Sequence, residues 1–124
     1  MKNEYLDNLI TSAEEGKQLS DGERDVAWAY KRSAENGFDV ITWYECMWEN
    51  EVEAVVQTLR AAGINELYVT SQASNMLGVY LMLDELGLKL RGVVRLDNPK
   101  CKADMERWGR SIWDETIPAM KLSF

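Results

Sequence analysis

Hydrophobic positions fall at helical spacing at the front of the chain. Tyr5, Leu6, Leu9, Ile10 and Ala13 follow the i, i+3/i+4 pattern of one apolar face, and Gly16 suits the left-handed position that ends a helix. Ser20 and Glu23 have the spacing of a capping box. They predict a second helix that carries Val26, Ala27, Tyr30 and Ala34 inward and stops at Asn36-Gly37. The period then changes. Phe38 to Tyr44 is rich in β-branched and aromatic residues, as strands are. Val52, Val55, Val56 and Leu59 mark one face of a third helix, which Gly63 closes. Leu67 to Thr70 reads as a short strand. A fourth helix runs to about Glu85, and Met76, Leu77, Val79, Tyr80, Leu81, Met82 and Leu83 leave it little polar surface. A helix apolar nearly all round is expected to be buried on two sides, under the N-terminal hairpin or a partner chain. Leu88 to Leu96 alternates as a third strand, with Leu88, Leu90 and Gly92 on one side. Asp97-Asn98-Pro99 is a turn signal, and residues 100–114 show no convincing period. Ile117 to Leu122 predicts a final strand that returns in a long hairpin beside the third. Pro118 lacks an N–H for the ladder and assigns that strand to an edge.

This series predicts an α/β fold in one domain (1–124): an N-terminal helical hairpin (1–37), then a small β-α-β-α-β-β mixed sheet (38–124) with right-handed parallel crossovers. With 46% hydrophobic and 28% charged residues the chain has the composition of a packed domain and not of a disordered one. No apolar run approaches the ~20 residues of a membrane span, and Met1-Lys2-Asn3-Glu4 is not an apolar leader. A cytoplasmic location is the default expectation, and there Cys46 and Cys101 are expected to be reduced.

Charge refines the picture. The net charge is -7, and it is unevenly spread. Residues 38–87 hold Arg60 against eight acids, whereas residues 88–124 hold eight basic and five acidic residues. The total disfavours direct, nonspecific nucleic-acid binding, which needs a basic surface to neutralise phosphates. An acidic surface suits a protein that itself binds nucleic acid, although acidity also serves solubility.

The chain has no histidine, no glycine-rich phosphate loop and no cysteine pair at metal spacing, so no catalytic residue, metal or cofactor is assigned. Asp39, Glu45, Glu49 and Glu51 are the nearest approach to a carboxylate metal site, but Glu49 and Glu51, together with Glu53, are explained as acids near a helix start. The turn around Ser71, Ser74 and Asn75 follows a strand and opens a helix. Open α/β sheets bind ligands at such places, and the same residue types are ordinary caps. Lys89, Arg91, Arg95, Lys100, Lys102, Arg107 and Arg110 are interleaved with Trp108 and Trp113. They read either as a stacking, gripping surface or as a solvated hairpin. The group from Trp43 to Glu49 mixes aromatics with acids just after a strand, a composition of protein-contact surfaces and of packed corners alike.

The segment Trp43-Tyr44-Glu45-Cys46-Met47-Trp48-Glu49-Asn50-Glu51-Val52-Glu53, with Ala61-Ala62-Gly63-Ile64 and Ile117-Pro118-Ala119-Met120, resembles small uncharacterised proteins of plasmids, integrative elements and phages of Gram-positive bacteria. The resemblance covers residues 38–124 and leaves the hairpin outside. It implies a mobile-element context, where small acidic proteins, anti-CRISPR proteins among them, disable host defence. The expectation is a non-catalytic binding protein that inhibits a nucleic-acid-handling enzyme such as a Cas nuclease. Glu45, Glu49, Glu51 and Glu53 would meet basic side chains, and Trp48 would anchor the contact. The alternatives are a small ligand- or phosphate-binding domain using Ser71, Ser74 and Asn75, and a homodimeric accessory protein.

Overall fold

The computed structural model describes residues 2–44, 47–70 and 75–124. Helices α1 (Glu4–Glu14) and α2 (Asp21–Glu35) form the N-terminal hairpin. Strand β1 (Thr42–Trp43) follows, then a 3-10 turn at Glu49–Glu51 that runs into α3 (Val52–Ala61). The remaining order is β2 (Glu66–Val69), α4 (Met76–Glu85), β3 (Lys89–Asp97), α5 (Pro99–Trp108) and β4 (Thr116–Ser123). The fold is α/β with a mixed sheet, and the helical hairpin precedes that sheet.

Local chemistry explains the helix starts. Ser20 and Glu23 make both halves of the capping box at α2. Asn3 caps α1 through Leu6 N–H and also donates its side-chain amide to the Ala62 carbonyl, so α1 is tied to the end of α3. At the other end of α2, the Phe38 N–H donates to the Ser33 carbonyl with Gly37 at φ +76°, the left-handed closure that favours glycine. Residues 38–40 are spent on leaving the helix, and the predicted strand 38–44 therefore shrinks to two residues. Its Thr42 N–H donates to the buried Ser33 hydroxyl.

The strand order is β1-β2-β4-β3. β1 lies parallel to β2, and β4 is antiparallel to both its neighbours. The hairpin of β3 with β4 is present, but β4 is a central strand and not an edge. Pro118 is tolerated because the described ladder with β2 begins at Val69↔Met120, so among the described residues its strand neighbour is Arg95 of β3. A register shift between Leu90 and Gly92 flips the alternation of β3. Val93, paired with Met120, joins the face of Leu90 in place of Gly92.

The main core lies between the helices and one face of the sheet. Val26 and Tyr30 from α2, Val52, Val55, Val56 and Leu59 from α3, Val79 and Leu83 from α4, and Leu67, Val69 and Leu122 from the sheet all belong to it. Ile117 and Ala119 have the opposite parity to Leu122. They are buried outside that cluster, as is Cys101 of α5. The expectation that α4 is buried on two sides is corrected: of its described residues only Val79 and Leu83 are buried, while Leu77 is 71% and Leu81 52% exposed. The hairpin packs mainly on α3, through α2. Residues 99–108, read from sequence as lacking a period, are helical. Asn98 accepts from the Lys100 N–H and Pro99 supplies the first helical position, so the turn signal is a helix cap.

Candidate binding site

Two faces meet beyond the carboxyl end of β1. The first is a stripe on α2 in which Asp25, Trp28, Ala29 and Arg32 recur at i, i+3, i+4 and i+7. The second is the chain leaving β1: Trp43 is buried, Tyr44 is half-buried, and Trp48 caps the 3-10 turn. The Tyr44 hydroxyl donates to Asn98 Oδ1 at 3.0 Å, which ties this corner to the start of α5. Glu51 stands three residues after Trp48. The Trp48 backbone amide is among the groups that favour its charged form, and the Glu51 side chain lines the same recess as Asp25 of α2.

Between the faces is a cavity of about 180 Å³, lined by Asp25, Trp28, Arg32, Trp43, Tyr44, Trp48 and Glu51, with Ala29 and Thr42 behind them. Trp28 and Trp48 stand at its mouth, 60% and 58% exposed. The Arg32 guanidinium lies over the Trp28 ring, 5.7 Å from its centroid. Burial pushes the Asp25 carboxyl up, Arg24 pulls it down, and the charge of Asp21 adds to the rise. Burial also pushes the Glu51 carboxyl up, and the nearby negative charge of Asp25 raises it further against the Trp48 amide and Arg24. Among the described residues neither carboxylate makes an ion pair. The arrangement is an aromatic-walled recess holding two carboxylates and one guanidinium, Arg32, with no ion pair between them among the described residues.

The structure separates several residues that the sequence grouped. Glu51 turns into the recess, Glu49 turns toward Gly78 of α4, and Glu53 is exposed on α3. Asp39 lies at the amino end of β1 beside Lys2 and Asn3, away from the glutamates that follow β1. Among the described residues no three Cys, Asp or Glu side chains gather to hold a metal ion. Glu45, Ser71 and Ser74 lie outside the described residues. Asn75 donates its side-chain amide to the Met47 carbonyl at 3.3 Å, while its buried Oδ1 has no hydrogen-bond partner. The basic cluster is spent partly on its own tryptophans, with Lys100 over Trp113 and Arg107 over Trp108. Sequence reasoning missed Asp25 and Trp28. Their i, i+3 spacing, continued by Arg32, was the available signal, but it reads equally as the solvated side of α2.

A family model described as a domain of unknown function (DUF7698) matches residues 25–124. The match takes in every residue lining the recess and leaves α1 outside. No curated protein and no solved structure matches the chain.

Proposed function

The chain belongs to the DUF7698 family, and from that premise we propose that it is a non-catalytic binding protein whose acidic, tryptophan-bearing end occupies a basic surface of a nucleic-acid-handling enzyme. The observation that carries this reading is the pair of exposed tryptophans, Trp28 and Trp48, set around Asp25 and Glu51, neither of which makes an ion pair with a cation among the described residues of the recess. Large aromatics at the centre of a charged rim are what protein interfaces use as anchors, and negative charge steers a basic partner to them. The resemblance of the segment Trp43–Glu53 to proteins of mobile elements makes a host-defence nuclease of the Cas type the partner of choice, in the manner of an anti-CRISPR inhibitor.

Affinity capture from a host that carries such an element, followed by titration calorimetry against the captured nuclease, tests this. Association should weaken about tenfold or more between 50 and 300 mM salt. Reversing Glu45, Glu49, Glu51 and Glu53 to lysine should abolish it. Unchanged affinity in that quadruple variant removes the acidic contact, and an enzymatic turnover by the purified chain removes the non-catalytic reading.

A further inference from the structure

We propose that the recess between α2 and the 3-10 turn is a receptor for one guanidinium group, the end of an arginine side chain presented by a protein partner. This deepens the function proposed above and rests on it. The volume decides the scale of the ligand. About 180 Å³ falls below the ~300–1,000 Å³ of pockets that enclose a drug-sized molecule or a nucleotide, and it suits the tip of a single side chain.

Chemistry decides the kind of tip. Two carboxylates, Asp25 and Glu51, face the same small space, and both are partly stripped of water. A cation between them removes their mutual repulsion. A guanidinium has five N–H donors in one plane, enough to serve two carboxylates at once, and it sheds its hydration more readily than an ammonium does. Its flat faces stack on aromatic rings, and Trp28 and Trp48 supply two such rings at the mouth. The chain itself shows that one of these rings accepts this group, since the Arg32 guanidinium already lies over Trp28. An alkylammonium would find the charge but no use for the flat walls. An anion would meet two carboxylates against one arginine.

The test uses the full chain and a small probe, so it does not depend on finding the partner. N-acetyl-L-arginine amide is titrated while the indole N–H signals of Trp28 and Trp48 are followed by NMR, with the lysine amide and tetramethylammonium as comparison probes. The expected result is saturable movement of both indole signals, with arginine binding about tenfold more tightly than either comparison cation. The Asp25→Asn, Glu51→Gln double variant should lose about tenfold or more in affinity. Relieving the repulsion leaves that variant at least as stable as the parent, and its circular dichroism confirms the fold. No saturable shift, equal binding of all three cations, or an unchanged affinity in the double variant overturns the proposal. If the arginine probe fails while a basic partner still binds with salt-sensitive affinity, the recess is wrong and the broader function stands.

Discussion

Glu51 shows how one residue can be set by local geometry and strained by its surroundings. The 3-10 turn places it on the wall of a recess that Asp25 of another helix also lines. Its folded carboxyl binds a proton more readily than it does in the unfolded chain. The charged form therefore costs stability at neutral pH, and the cost is relieved as pH falls through the raised folded value toward the ordinary one. Glu51→Gln keeps the size of the side chain and deletes the charge. It should raise Tm at pH 7 by a small amount, about 1–3 °C, because both carboxylates remain partly solvated. The gain should vanish below about pH 4, where the parent is protonated too. The groups that share this field are Asp21, Arg24 and Asp25 for Glu51 and, at the recess wall, Arg32. A thermal melt series over pH checks the sign: a variant that melts lower at pH 7 would mean Glu51 is stabilising as an anion.

At the scale of elements, α2 and α3 approach so closely that Gly22 has no room for a side chain. A Cβ there would stand 2.6 Å from the backbone oxygen of Ala54, which cannot swing aside. Gly22→Ala should cost about 1–3 kcal/mol of unfolding free energy, read as a lower urea midpoint with an unchanged slope. That helix contact was not visible in the sequence, whereas the helices themselves were. The capping box at Ser20 and the apolar faces of α2 and α3 are local signals, and local signals survive into the structure. The strand from 38 to 44 survives only as Thr42–Trp43, because its first half is claimed by the Schellman-type exit of α2, a competition that propensity does not register. Asn98-Pro99 carries the same residues whether it makes a turn or opens a helix, and α5 was lost to that ambiguity. The recess was half legible. Trp48 and Glu51 stood out in an acidic, aromatic segment, but their partners Asp25 and Trp28 come from another element, and only tertiary packing joins them.

Over the whole molecule, charge is sorted by the sheet. The carboxylate recess adjoins β1 at one edge, while Lys89, Arg91 and Arg95 line β3 at the other, three strand spacings or about 14 Å away. Among the described residues no helix is long and apolar enough to cross a membrane. The basic edge resembles a nucleic-acid grip. Its neighbours on α5 are already stacked on Trp108 and Trp113, and the net charge of -7 opposes any polyanion. Duplex DNA at 150 mM salt should therefore show no mobility shift with this chain, and a retained complex abolished by Arg95→Glu would show that the edge prevails over the total. The strand order has a last consequence. β4 is the latest element in the sequence and yet sits between β2 and β3. Until its residues emerge from the ribosome, β3 has no partner strand and the β1-β2 pair keeps one edge of β2 open. Completion of the sheet is thus an insertion between strands already made, and before it β3 and the open edge of β2 are exposed to pairing with the wrong neighbour.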